Sequence, residues 1–191
     1  MRSEKERAFD AYLAAAARSG DATALDRLAR RWAPKLRAHA YRLCGEADLA
    51  ADISQDAWSE ILKGLRGLDD ANAFASWAFR IVTRRYARTI RSLVRRRAGE
   101  TAAADDSHLR ADEEQASSAQ ESSAELAIIK KAMQQLPGPQ RATLGLFYQE
   151  GLRIAEVAVA LQVPTGTVKT RLMNARRKLR ALLIGDEHEQ D

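Results

Sequence analysis

A chain of 191 residues, 46% of them hydrophobic, can build one ordinary domain or two small ones, and 31 Lys and Arg against 26 Asp and Glu favour an anionic partner. Its longest apolar runs fall short of a membrane span, and the alanine-rich stretch Tyr12 to Ala17, preceded by acidic residues, is unlike a secretory signal, so the protein is read as cytoplasmic. The single cysteine, Cys44, excludes an internal disulfide and a multi-cysteine metal site and reads as a buried structural thiol.

Helical periodicity runs through most of the chain and no convincing strand alternation interrupts it, so the expected fold class is all-α. Leu25, Leu28, Trp32, Leu36 and Leu43 make one apolar stripe; Leu49, Ile53, Ile61 and Leu65 make another. Next comes a helix predicted from Phe74 to Arg97. At 100° per residue Arg80, Arg84, Arg88, Arg91 and Arg95 share one narrow face, while Phe79, Val82, Tyr86, Ile90 and Leu93 recur on the other side as a core stripe. Like charges so placed cost an isolated helix a few tenths of a kcal/mol per pair, which suggests that a polyanion neutralises them. Arginine forks bind phosphate and arginine planes stack on bases. Trp77 lies toward the same basic edge, where it either stacks on unpaired bases or belongs to the core; the competing reading of the stripe is mere solvation.

Residues 1–97 carry 20 basic and 12 acidic residues, 98–125 carry one and eight, and 126–191 carry ten and six. The middle stretch is rich in Ala, Ser, Asp and Glu and nearly devoid of large apolar residues, so it is expected to be a flexible linker, the alternative being a solvated helix. The predicted organisation is two helical domains, 1–97 and 125–185, joined by a linker at 98–124 and followed by an acidic tail at 186–191.

In the second domain Leu126, Ile129, Met133 and Leu136 line a helix stopped by Pro137-Gly138-Pro139, and Leu144 and Phe147 lie on a helix ending near Gly151. Arg153 to Arg180 then reads as a helix-turn-helix. Val157, Ala158 and Leu161 give the first helix an apolar side, Pro164 ends it, and Thr165 is expected to cap the second. Val168, Leu172, Ala175, Leu179 and Leu182 form the buried seam of that second helix. The start of such a helix enters the major groove, so Thr165, Thr167, Lys169, Thr170 and Arg171 are candidates to reach bases, with Arg176 on the backbone. The competing use is packing against another protein.

Together the two halves resemble the extracytoplasmic-function sigma factors, with the likeness running from about residue 20 to 183. Ala50 to Trp58 is similar to the segment with which that family docks on the clamp helices of the largest polymerase subunit, which implies Asp52, Ile53, Gln55 and Asp56 as core contacts. Phe74 to Ile81 looks like the family's tryptophan-bearing helix that melts and reads the minus-ten element, implying Trp77, Arg80, Arg84, Arg88 and Arg91 as its DNA contacts. Leu136-Pro137, Arg141, Glu156-Val157-Ala158 and Gly166 to Leu172 match the family's minus-thirty-five reader. Departures are Ala51 where an acidic residue is usual, Arg84 and Arg88 in place of an asparagine and an aspartate, and Asn174 where arginine is common.

The resemblance implies a factor that directs core RNA polymerase to promoters, with an anti-sigma partner, a further contact to the polymerase flap from Leu126 to Phe147, no cofactor and no catalysis. The rival is a conventional DNA-binding regulator, which has no use for the Asp52–Gln55 segment or the Trp77 helix. An enzyme is disfavoured because His39, His108 and His188 lack metal spacing and no phosphate loop or nucleophile motif is present.

Overall fold

A computed structural model describes residues 3–100, 128–129 and 131–187, with side chains through Arg96 and Leu183 in the two long helices that end these stretches. The described residues are helical or in turns. Helix α1 spans Glu4–Arg18, α2 Ala22–Cys44, α3 Ala47–Gly64 and α4 Phe74–Glu100; short 3-10 turns at Leu65–Gly67 and Ala71–Ala73 join the last two. In the second half, helical residues 131–134 precede α5 (Gly138–Leu144), a wide helical turn (Gly145–Gln149), α6 (Ile154–Leu161) and α7 (Thr165–Glu187).

Local chemistry sets the helix ends. The Ser3 hydroxyl accepts the Glu6 amide at 3.2 Å while the Glu6 carboxylate accepts the Ser3 amide at 2.8 Å, a reciprocal cap that starts α1. The Asp21 carboxylate takes the Thr23 and Ala24 amides at the head of α2, and Gly45, at φ 81°, closes that helix in the left-handed region. α4 runs to Glu100, so the first residues expected in the linker continue the arginine helix. The rest of that linker, and the end of the acidic tail, lie outside the described residues.

Trp32, fully buried on α2, is the centre of the first half. It meets Phe74 edge-on with ring centroids 5.1 Å apart and Phe79 at 5.5 Å. Truncating a side chain of this size in such a setting costs about 3–5 kcal/mol. His39 belongs to the same packing, edge-on to Phe79 at 5.1 Å with Nε2 3.0 Å from the Thr83 hydroxyl. Complete burial pushes its pKa down to about 3, so it is a neutral core residue. Cys44 is half-buried against the core, its thiol donating to the Glu46 carbonyl at 3.2 Å; burial pushes its pKa up, in keeping with a structural thiol.

The halves do not stay apart. Leu136, Ala142, Leu144, Leu146, Leu152 and Val157 join the apolar residues of α1 to α4 in one continuous core, and α6 lies along α4. The linker expectation left the arrangement of the halves open, because charge and composition carry no information on which faces meet.

Candidate nucleic-acid and polymerase interface

Helix α3 displays Asp52, Gln55 and Asp56 on one exposed face, since positions separated by three and four residues align on a helix. Ile53 points the other way and is 2% exposed. The expectation that Ile53 offers a contact surface is therefore corrected: it packs beneath the segment and holds it in place, because the apolar stripe of α3 must face the core. Ser54 and Ala57 are likewise buried beneath the same face.

Helix α4 crosses α3, and their charged edges meet. The Glu60 carboxylate is ion-paired with Arg84 and, at 2.9 Å, with Nε of Arg85, while Asp56 lies 3.7 Å from Nη1 of Arg85. Sequence reading placed Arg84 with the outward arginines; in the structure its charge is answered from α3. Arg80, Arg88, Arg91 and Arg95 remain exposed on that helix. Nε of Arg91 donates to the Ala87 carbonyl at 3.0 Å and Nε of Arg95 to the Arg91 carbonyl at 3.3 Å, which lays both side chains along the helix with their terminal nitrogens outward.

Trp77 takes parts of both readings. Its ring lies 6.1 Å from Phe74 and over Gly64 at the end of α3, so closely that a methyl group on Gly64 would come within 3.1 Å of it. It is nonetheless only partly buried, and Arg80, three residues on along the same helix, is exposed. A glycine at position 64 lets the tryptophan ring pack close against the end of α3.

The helix-turn-helix forms as its sequence reads. The Arg153 amide donates to the Glu156 carboxylate at 2.6 Å to start α6, and Gln162 at φ 55° ends it, with the Val163 amide returning to the Ala158 carbonyl at 3.1 Å. The cap of α7 differs from expectation. The Val168 amide donates to the Pro164 carbonyl at 3.2 Å, so Pro164 holds the cap position and Thr165 is the first helical residue. This leaves the Thr165 side chain on the exposed helix start with Lys169 and Thr170, while Thr167 and Arg171 are half-buried at its flanks. Val168, Leu172 and Ala175 are buried on the opposite side and hold α7 against α6.

Arg176 is exposed but stands 5.5 Å above the Tyr148 ring, beside an apolar groove and away from the first turn of α7. Ile129, Met133, Leu144, Met173, Leu179 and Leu183 line that groove, and Arg177 and Arg180 share its rim. Among the described residues no His, Cys, Asp or Glu cluster could hold a metal, and no helix is long and apolar enough to cross a membrane.

Sequence reasoning missed Glu60, which pairs with Arg84 and Arg85, and the charged residues joining the halves, Arg7, Lys35, Arg42, Glu150 and Glu156. A reciprocal charge at helical spacing signals only partners on one helix, and these pairs cross between helices.

Residues 28–96 match the family Sigma-70 region 2, and residues 126–179 match Sigma-70, region 4. The chain is 34% identical over 175 residues to the ECF RNA polymerase sigma factor SigM of Mycobacterium tuberculosis, covering 91% of this chain and 84% of that protein. It is 31% identical over 156 residues to the ECF RNA polymerase sigma factor EcfG of Rhodopseudomonas palustris, covering 82% and 83%. Among solved structures it overlays the sigma factor RpoE in complex with the anti-sigma factor NepR from Bartonella quintana, with a TM-score of 0.64, 25% identity, and coverage of 83% of this chain and 96% of that one. CnrH in complex with the cytosolic domain of CnrY overlays with a TM-score of 0.61 at 26% identity, covering 93% and 99%.

Proposed function

The chain belongs to the extracytoplasmic-function sigma factors of RNA polymerase, and from that premise we propose how its surfaces divide the work of initiation. As a sigma factor it directs core polymerase to specific promoters and acts in transcription initiation. It performs no chemistry of its own; binding energy alone recruits the polymerase that does. Its place of action is the cytoplasm, where polymerase and promoter are.

The exposed face of α3, with Asp52, Gln55 and Asp56, docks on the clamp helices of the largest subunit. The observation that carries this is the burial of Ile53 and Ala57 beneath three exposed polar side chains, which makes a rigid, charged platform on a scaffold helix. Trp77, which is only partly buried, and the exposed Arg80, Arg88 and Arg91 receive the minus-ten strand, the ring taking an unstacked base and the guanidinium groups its phosphates. Thr165, Thr167, Lys169, Thr170 and Arg171 meet the minus-thirty-five element in the major groove, the helix start reading bases and the basic flank holding phosphates. The apolar groove with its arginine rim suits a flap segment of polymerase carrying apolar and acidic residues. RpoE was solved with the anti-sigma factor NepR bound, and its overlay with this chain supports an anti-sigma partner here.

The test is direct binding of purified core polymerase to the full chain, wild type and Asp52→Lys. The proposal requires that wild type bind and that the reversed charge weaken it at least tenfold with no loss of helicity. Equal binding by both proteins assigns docking to some other face.

A further inference from the structure

We infer that Gly64, the last residue of α3, is a positioning residue for the minus-ten strand, because its missing side chain sets where the Trp77 ring stands on the polymerase-docking helix. The inference rests on the assignment of Trp77 to that strand above and deepens it.

The ring asks for glycine here, and the backbone does not. Gly64 has φ −93° and ψ −12°, a right-handed conformation that other residues adopt, and it is not among the glycines with positive φ. A methyl group at this position would lie 3.1 Å from Cζ2 of Trp77 and 3.6 Å from Cη2, both on the outer ring of the indole. Carbon atoms pack at about 3.5–4.0 Å, so at the shorter distance one partner has to give. Gly67, three residues on, would carry the same methyl group into open space. The restriction therefore falls on position 64.

The ring is the partner that gives. Phe74, 1% exposed, stands 6.1 Å from Trp77 and is itself held edge-on against the buried Trp32 at 5.1 Å. Helix α3 does not yield either, since Ile53, Ala57 and Ile61 fix it to the core. Trp77 is only partly buried, so an added methyl group displaces the indole by a few tenths of an ångström relative to both helices.

This seat links the two tasks of the first half. Asp52, Gln55 and Asp56 are exposed on α3, and Gly64 lies about 12 Å further along the same helix than Asp56. A polymerase bound on that face thus holds the tryptophan at a fixed offset, and the size of residue 64 sets the offset. Stacking depends on such placement, because a radial gap of about 0.5 Å already forfeits about a quarter of a contact's attraction. Removing an aromatic platform weakens single-strand binding about 5- to 150-fold. A quarter of that effect on a logarithmic scale is about two- to fourfold, the loss expected of Gly64→Ala.

The test uses the full chain bound to core polymerase, as wild type, Gly64→Ala, Trp77→Phe and the double variant. The probe is a non-template oligonucleotide spanning the minus-ten region of a fragment that gives a run-off transcript with the wild type. Affinity is read by fluorescence anisotropy. Gly64→Ala is expected to lose about two- to fourfold, with core binding and helicity unchanged. In the Trp77→Phe background the same substitution is expected to have no further effect, because phenylalanine lacks the two atoms that the methyl group meets. The three tryptophans of the protein emit together, so the spectrum of each Trp77→Phe protein is subtracted from that of its parent. The Trp77 emission isolated in this way should shift in Gly64→Ala, and its quenching by acrylamide should change. Equal losses in both backgrounds, or an unchanged Trp77 emission, overturn the positioning role. Loss of helicity by Gly64→Ala makes the glycine a folding requirement and overturns it too. If Trp77→Phe binds the strand as tightly as wild type does, the assignment of Trp77 fails and the function of the seat with it, while the emission spectrum still reports whether residue 64 sets the ring.

Discussion

Replacing Glu60 by glutamine removes a carboxylate that answers both Arg84 and Arg85 while keeping the size of the side chain. Its carboxylate is 24% exposed, Arg85 is 30% exposed and Arg84 38%, so solvent screens the pairs in part. A charge-assisted bond in such a setting contributes about 1–2 kcal/mol, and Glu60→Gln should destabilise the first half by that order. The functional effect runs the other way. With Glu60 present, four arginines of the stripe, Arg80, Arg88, Arg91 and Arg95, are open to phosphate. Releasing Arg84 raises the number to five, whereas Arg85 retains Asp56. For single strands the slope of log affinity against log salt is about 0.7 per phosphate neutralised, so it should steepen from about −2.8 to about −3.5. Fluorescence anisotropy with a minus-ten single strand, with and without core polymerase, across a salt series measures this slope. An unchanged slope, with stability reduced as expected, would refute the view that Glu60 withholds Arg84 from DNA.

Two further outcomes concern the buried titratable groups. His39 is held neutral in the fold with a pKa of about 3, while in the unfolded chain it titrates near 6.5. Below pH 6.5 only the unfolded state gains the proton, so stability falls with pH, by about 2 kcal/mol at pH 5 from this residue alone. Urea titrations at pH 7 and pH 5 should show this loss in the wild type and not in His39→Gln; parallel losses in both would exclude His39 as its source. For Cys44, whose thiol burial pushes above its usual range, alkylation of the native chain at pH 8 should be much slower than of the urea-unfolded chain. Equal rates would mark an open, reactive thiol instead.

What could be read in advance followed from periodicity. Trp32 and Leu36 on α2, Phe79 and Val82 on α4, and Val168 with Leu172 on α7 recur at helical spacing, and all are buried in the fold. The turn chemistry at Pro137-Gly138-Pro139 and Pro164 also marked real breaks, although the cap of α7 fell one residue earlier than Thr165. The start of α1 was legible but passed over, since Ser3 followed by Glu6 is a capping pair. The pairing of Arg84 with Glu60 was not legible. It depends on the angle at which α3 crosses α4, and no local pattern encodes that angle. The same holds where the two halves pack together, since the need for glycine at Gly138 comes from the Leu43 carbonyl, about a hundred residues earlier in the chain. Ile53 shows the converse error: a residue inside a segment expected to dock can lie wholly beneath its exposed face.

The claim on which the rest depends is that this chain starts transcription at chosen promoters, and run-off transcription tests it most directly. Purified core polymerase is incubated with the full chain and a set of genomic promoter fragments, and the products are sized. The account predicts discrete transcripts from a subset of fragments, present only when the chain is added and lost when the minus-thirty-five or minus-ten sequence is scrambled. Absence of initiation from every fragment, with duplex binding retained, would contradict it and identify a conventional DNA-binding regulator.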